Sequence, residues 1–300
     1  MRVLVIGAGG FLGSHVVRRA REDAMAVVTA GRSVLAGSAH HEVIDLARDS
    51  PEHLGAVLAR IAPEVVVNCA GATSGTAEEL SEANISAVFS LLEATMLAGW
   101  RGRLIHLGSA AEYGRSPEGS SVSEAALSQP VGVYGATKLG GTRLVELARL
   151  GGADAVVLRI FNPLGMGAPE AGLPGRLVSE VRRAVADGGD IRLGPLDAVR
   201  DFIDARDVAD AVIAAATASE LPSPVLNVGT GLGVPVRALV DGLLAISRCR
   251  SRVSEEAPGS ERSAGVTWQQ ADIALAARDL GWKPVHDLDS TLRDWWGELF

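Results

Sequence analysis

A glycine-rich turn set directly behind a short apolar strand constrains this chain more than any other feature. Val3-Leu4-Val5-Ile6 runs into Gly7-Ala8-Gly9-Gly10-Phe11-Leu12-Gly13, and a helical pattern follows from about Leu12 to Arg21. Backbone amides at the start of such a helix bind a pyrophosphate, because its first N–H groups have no partner within the helix. A Cβ at the glycine positions would block the turn, the approach of the phosphate or the packing of helix on strand. A glycine motif alone also suits an ordinary tight turn. Its place between a first strand and a first helix selects the dinucleotide reading.

Short β-branched runs and helical patterns alternate through the N-terminal half. After Val3 to Ile6 come strands at Ala26 to Ala30, Val65 to Cys69, Arg103 to Leu107 and Ala155 to Ile160. Continuous apolar strands separated by helices predict a parallel sheet covered on both faces. The right-handed crossover rule leaves an α/β fold with a doubly wound parallel sheet, the Rossmann arrangement, as the simplest topology. After Asn162, glycine and proline become frequent (Pro163, Gly165, Gly167, Pro169, Gly172, Pro174, Gly175), which predicts a loop leaving the sheet for a smaller α/β C-terminal substrate lobe. Helices at about Leu177 to Ala186, Val208 to Ala218 and Val236 to Ser247, with a strand at Val225 to Val228, fill most of it. The expected division is a dinucleotide-binding domain over 1–162 and a mainly substrate-binding lobe over 163–300, with about 200–228 returning to the first domain. The polar stretch Ser251 to Gly265 is expected to be the most mobile loop.

With 47% hydrophobic and 21% charged residues, a chain of 300 residues can bury a large core. A net charge of −8 argues against a nucleic-acid surface, which needs an excess of Lys and Arg. Cys69 and Cys249 are far apart, so neither a disulfide framework nor a cysteine metal site is expected. No metal is expected elsewhere, and a reducing cytoplasm fits. The first apolar run breaks at Gly7, which makes it a strand rather than a secretory leader. No uninterrupted apolar stretch approaches the ~20 residues that a membrane span needs.

The second strand ends in Ala30-Gly31-Arg32-Ser33, where an NAD site usually places an acid for the ribose hydroxyls. Arg32 offers a cation for a 2′-phosphate and Ser33 a hydroxyl donor, so NADP(H) is favoured over NAD(H). Further along, Tyr134 and Lys138 are spaced to share one face of a helix. A nearby ammonium stabilises the phenolate and lowers the Tyr pKa, so that Tyr134 can exchange a proton with a substrate oxygen near neutral pH. Taken alone, that pair is common on amphipathic helices.

The wider pattern resembles the extended short-chain dehydrogenase/reductase family, of the epimerase/dehydratase type. The spacing Gly7-x-x-Gly10-x-x-Gly13 matches, as does Ser109-Ala110-Ala111-Glu112-Tyr113-Gly114 behind the strand ending in Leu107-Gly108. So do Arg159-Ile160-Phe161-Asn162, Arg200-Asp201-Phe202-Ile203, Asn227-Val228-Gly229 and Leu280-Gly281-Trp282-Lys283-Pro284, which span essentially the whole chain. The resemblance implies a catalytic trio of Ser109, Tyr134 and Lys138, with Lys138 also reaching the nicotinamide ribose. It implies cofactor contacts from Gly7, Gly10, Phe11, Leu12 and Gly13, from Asp45 and Leu46 beside the adenine, from Cys69, Ala70 and Gly71, and from Asn84. It implies substrate contacts from Ser109, Ala110, Asn162, Arg176 and Arg200, with Asn162 and Arg200 at a diphosphate. Relatives commonly dimerise through two helices per subunit, for which Asn84 to Leu97 and Lys138 to Leu150 are the candidates.

Dehydratases of this family carry acids immediately after the Ser/Thr, whereas this chain has Ala110 and Ala111, and Glu112 sits one place too far along. The expected reaction is therefore NADPH-dependent reduction of a keto group on a nucleotide-activated deoxysugar, and the closest likeness is to reductases of nucleotide-linked 4-keto-6-deoxysugars. The alternatives are an NAD-dependent nucleotide-sugar epimerase with the same trio, a reductase of a non-sugar ketone or aldehyde, and a non-catalytic NADP sensor. Trp295 and Trp296 are expected to anchor the last helix by packing.

Overall fold

The computed structural model describes residues 1–257 and 265–299. Its centre is a sheet of seven strands: β1 (Arg2–Ile6), β2 (Ala26–Gly31), β3 (His41–Val43), β4 (Val65–Asn68), β5 (Arg103–Ser109), β6 (Ala155–Ile160) and Val225–Val228. Their order across the sheet is Val225–Val228, β6, β5, β4, β1, β2, β3, and every neighbouring pair runs parallel. This is the expected doubly wound α/β arrangement. Successive side chains on a strand point to opposite faces, so the apolar runs feed two cores. Val3, Val5, Val65 and Val67 pack with Val16 of α1 (Phe11–Glu22) and Val208 and Val212 of α7 (Ala205–Thr217). Leu4, Ile6 and Val66 face the other way, onto α2 (Pro51–Ile61), α4 (Ala87–Leu97) and α5 (Val133–Leu150).

A third core lies beyond the sheet. Leu177 and Val181 of α6 (Leu173–Asp187) meet Leu239 and Leu243 of α8 (Val236–Ser247) and Trp295 of the helix Leu288–Gly297. Trp295 is buried there, as its packing role requires. The strand Val225–Val228 rejoins the sheet beside β6, and α7 lies against α1, so the chain crosses between the cores after Asn162. No described helix is long and apolar enough to cross a membrane.

Several element ends differ from the sequence expectation for local reasons. α6 begins at Leu173 rather than near Leu177, because Pro174 lies in its first turn, where no N–H is needed. α7 begins at Ala205, capped by the Asp204 carboxylate, which accepts from the Arg206 amide at 2.7 Å. The helix expected over Asn84 to Leu97 is one part of a longer run: α3 (Ala77–Ser81), a π-helical turn at Glu82–Ser86, then α4. β5 continues through Ser109, which is thus the last strand residue rather than one following it. Within the polar stretch expected to be mobile, Val253–Ser254 pairs with Ile191–Arg192. The part of that stretch at 258–264 lies outside the described residues.

One buried histidine ties the sheet to pH. His106 of β5 is buried, and Asn68 Nδ2 donates to its Nδ1 at 3.2 Å. The amide orientation is set because Asn68 Oδ1 accepts from the Ala70 amide at 3.1 Å. Burial, and secondarily the Lys138 cation, hold the His106 pKa well below the usual histidine value. A group with a depressed folded pKa contributes stability above its unfolded value, about 6.5, and loses it as pH falls. Unfolding stability is expected to decline by about 1.4 kcal/mol per pH unit below about pH 6.5 on account of this ring. Urea denaturation of His106→Gln should show a flatter decline between about pH 7 and about pH 5. A slope equal to the wild type would exclude His106 as the group.

Candidate active site

The glycine turn leaves β1 and enters α1 with Gly7 in a left-handed conformation at φ 77°. A Cβ on Gly7 would stand 2.7 Å from the Ala70 amide nitrogen, and one on Gly13 would run into the Gly7 carbonyl oxygen. Glycine here lets the turn, the end of β4 and α1 approach one another at backbone distance. Gly10 caps α1 with no side-chain bond, so the amides of its first turn remain open to an anion. These residues fit a dinucleotide pyrophosphate, with Phe11, Leu12 and Gly13 forming the first helical turn beneath it.

Beside this turn is a cleft of about 570 Å³ lined by Gly9, Ser14, Arg18, Arg21, Leu35 and Ala36, among others. Arg32 and Ser33 leave β2 exposed at its end. The loop they open is held from below, where Thr29 Oγ1 lies 2.7 Å from Ser38 Oγ and 2.9 Å from His41 Nδ1, and His41 Nε2 lies 2.9 Å from the Ser33 carbonyl. Arg18 and Arg21 were not among the sequence candidates, since two arginines on a helix read as a solvated face. Their signal is the spacing Ser14, Arg18, Arg21, which carries one α1 face back to the glycine turn.

Asp45 accepts from the Ala47 amide at 3.0 Å and so caps its own turn, while Leu46 is buried in the second core and offers a ligand only its backbone. The Cys69 thiol is shielded from water, and burial pushes its pKa up to about 12, so it stays a neutral thiol. Asn84 sits in the π turn and is buried. Its Nδ2 donates to the Ala72 carbonyl at 2.9 Å and to Thr137 Oγ1 at 3.1 Å, and its Oδ1 accepts from the Ala72 amide at 3.0 Å. It ties the segment after Gly71 to α5. A Cβ on Gly71 would stand 2.8 Å from Asn84 Oδ1.

Ser109, Tyr134 and Lys138 lie on β5 and α5, which pack against each other. Tyr134 lies in the first turn of α5, half-buried, and Lys138 follows one turn later, buried. Lys138 Nζ donates to the Leu107 carbonyl at 2.6 Å, two residues before Ser109 on β5. Burial lowers the Lys138 pKa below the ordinary lysine value, opposed chiefly by the negative charge of Glu112. Ser109 Oγ accepts from the Ala111 amide at 3.2 Å, which leaves its O–H free to donate. Gly135 lies so close to the Ala111 carbonyl that a Cβ would not fit, and this seats Tyr134 beside the turn following Ser109.

Glu112 faces inward. Its carboxylate is fully buried, accepts from the Ser109 amide at 2.7 Å and pairs with the buried Arg159 at 2.7 Å. The Arg159 guanidinium lies 4.5 Å over the Tyr113 ring. Glu112 is therefore spent on structure and is not positioned to act as an acid on substrate.

On the substrate side, Asn162 follows β6 and donates from Nδ2 to the Asp201 carbonyl at 3.0 Å and to Gln269 Oε1 at 3.4 Å. Gln269 was missed by the sequence reading, because nothing in the polar run around it marks one amide as buried. Arg200 is buried and donates to the carbonyls of Val199 and Val266, both at 2.8 Å, with no acid partner among the described residues. Burial lowers its pKa. Asp201, its sequence neighbour, is occupied instead by the amides of Thr230, Gly231 and Ala271. Arg176 is half-buried in the first turn of α6.

The model of the NAD dependent epimerase/dehydratase family matches residues 3–229. A dTDP-6-deoxy-L-talose 4-dehydrogenase (NAD(P)(+)) of Kitasatospora kifunensis is 35% identical over 98% of this chain and 94% of its own length. A GDP-6-deoxy-D-mannose reductase of Pseudomonas aeruginosa is 24% identical over 98% of this chain and 97% of its own. MoeE5, solved in complex with UDP-glucose and NAD, is 30% identical and superposes with a TM-score of 0.85, covering 100% of this chain and 99% of that one. The chain belongs to the NAD-dependent epimerase/dehydratase family and is, with it, an NAD(P)-dependent oxidoreductase.

Proposed function

We propose that the protein reduces a keto group on a nucleotide-activated deoxysugar, using NADPH. The reading rests foremost on the buried Lys138 ammonium, held by the Leu107 carbonyl one helical turn from Tyr134. A cation one helical turn away on the same face is suited to stabilising the phenolate that forms when Tyr134 gives up its proton. Tyr134 gives its proton to the carbonyl oxygen of the substrate, and the Ser109 hydroxyl donates a hydrogen bond to the same oxygen. NADPH, when bound at the glycine turn, supplies the hydride to the carbonyl carbon. Ala110 and Ala111 place no acid immediately after Ser109, and Glu112 is locked onto Arg159, which disfavours elimination of water.

A diphosphate-bearing substrate is supported by Arg200, a buried guanidinium without a counter-charge among the described residues, and by the names of the similar proteins. The choice of NADPH is supported by Arg32 together with Arg18 and Arg21 along the cleft beside the glycine turn. A second reading, epimerisation on a retained NAD, is favoured by the family itself and by the NAD of the MoeE5 complex. We infer in addition a homodimer, since α4 and α5 lie side by side and expose Phe89, Met96, Leu147 and Leu150, the last at 85%.

A screen of nucleotide-linked keto-sugars against NADPH and NADH, followed by nicotinamide absorbance, should show consumption of NADPH. Tyr134→Phe is expected to lower turnover by about 10²–10⁴-fold while NADPH affinity stays constant. Intact turnover would remove Tyr134 from the reaction, and protein that arrives with bound NAD and turns over without added cofactor would establish the epimerase instead. For the cofactor, Arg18→Ala combined with Arg32→Ala should raise the KM for NADPH about tenfold and leave that for NADH within about twofold. Equal effects on both would place the 2′-phosphate elsewhere. Sedimentation velocity should give a dimer that Met96→Glu with Leu147→Glu converts to monomer, and a monomeric wild type would refute the α4 and α5 interface.

A further inference from the structure

We propose that Glu112 is a positioning residue for the Ser109 hydroxyl: its carboxylate closes the turn after β5 onto the sheet, so that the hydroxyl meets the reacting carbonyl from one fixed place. The proposal rests on the carbonyl-reduction reading above and deepens it. Ser109-Ala110-Ala111-Glu112 form a reciprocal cap. Ser109 Oγ accepts from the Ala111 amide at 3.2 Å, and Glu112 Oε1 accepts from the Ser109 amide at 2.7 Å.

The two bonds do different things. The first fixes the hydroxyl relative to the turn. The second fixes the turn relative to the strand, at the last pair of β5 with β6, Ser109 with Ile160. The second oxygen of the carboxylate, Oε2, accepts from Arg159 Nε at 2.7 Å, and Arg159 stands on β6 opposite Gly108. The turn that carries the hydroxyl is thus referred to two neighbouring strands of the sheet through one side chain.

Only a carboxylate can serve both partners. Each of its oxygens accepts from an N–H, whereas a side-chain amide of the same shape has one acceptor and one donor, and the donor would confront either the Ser109 amide or the guanidinium. The backbone leaves room for it: a Cβ on Gly108 would stand 2.7 Å from Glu112 Oε1 and 2.8 Å from Val157 Cγ1. The outer side of the turn has a fastening of its own, where Gln269 Nε2 donates to the Ala110 carbonyl at 2.9 Å. Around it, Ser116 Oγ donates to the Trp268 carbonyl, Trp268 Nε1 to the Ser120 carbonyl and the Val122 amide to the Gln270 carbonyl, each at 2.8 Å. These bonds do not involve residue 112, so a change there removes the inner grip and keeps the outer one.

The test is a double-mutant cycle, read as kcat with NADPH and 4-keto-6-deoxyhexoses linked to dTDP or to GDP. Glu112→Gln should lower kcat about tenfold in the wild type and less than about twofold in Ser109→Ala, where the hydroxyl it places is gone. The loss of Tm should be equal in both backgrounds. Losses of kcat that multiply would mean that Glu112 acts on the site at large, and would overturn the proposal. Arg159→Gln added to Glu112→Gln sets an acceptor oxygen where Nε stood, so the amide at 112 can donate to it and turn its own oxygen to Ser109. This pair should restore kcat to within about threefold of the wild type, and no recovery would count against the proposal. A crystal structure of Glu112→Gln should show Ser109 Oγ and the turn displaced relative to β5, and an unmoved hydroxyl would refute the role without any substrate. Wild-type protein that reduces neither sugar would sink the nucleotide-sugar reading, while the crystal comparison still decides what holds Ser109.

Discussion

Parallel pairing is the constraint on which the rest of this molecule depends. Seven strands running one way bring their carboxyl ends to a single edge of the sheet, and whatever follows each strand is delivered there. After β1 comes the glycine turn, after β4 the small residues Cys69 to Gly71, at the end of β5 Ser109, and after β6 Asn162. Residues separated by more than a hundred positions become neighbours without any long-range design beyond strand order. The two apolar faces of the sheet supply the rigidity, since each is covered by helices that bury the alternating side chains.

At that edge the most costly element is the Glu112 and Arg159 pair. Withdrawing two charges from water costs several kcal/mol per ion, and mutual attraction offsets this only where every remaining polar atom is bonded. Both ions have further partners here: Glu112 also takes the Ser109 amide, and Arg159 also reaches Ser128 Oγ at 3.2 Å and the face of Tyr113. Tyr113 in turn donates to Asn227 at 2.6 Å, whose Nδ2 holds the carbonyls of Val122 and Asp272. The pair therefore braces the main chain of the serine against β6 and the C-terminal segment. Its desolvation cost is set against a fixed position for one hydroxyl.

Much of this was legible in the sequence because it repeats a local rule. The runs Ala155 to Ile160, Val225 to Val228 and Val236 to Ser247 carry an unbroken apolar or periodic pattern, and the structure forms elements with those bounds. The start of α6 was not legible, since Pro174 and Gly175 look like loop residues until one sees that a first helical turn tolerates both. Among site residues, Tyr134 and Lys138 announce themselves by spacing. Gln269, Arg18 and Arg21 do not, because their significance comes from what the tertiary fold sets beside them. Glu112 shows the same limit in reverse: its position in the sequence suggests proximity to the chemistry, and only the fold reveals that it points away from it.

The attachment of Trp268–Gln269 to the loop at 116–122 has a consequence for how the protein comes into being. The glycine turn and the first five strands are drawn entirely from the first 109 residues, so the surface for a dinucleotide can form early in synthesis. The turn behind Ser109 cannot be fastened then, because the Gln269 amide that holds the Ala110 carbonyl is made some 160 residues later. The nascent chain therefore carries the residues of the glycine turn well before those that fasten the turn behind Ser109.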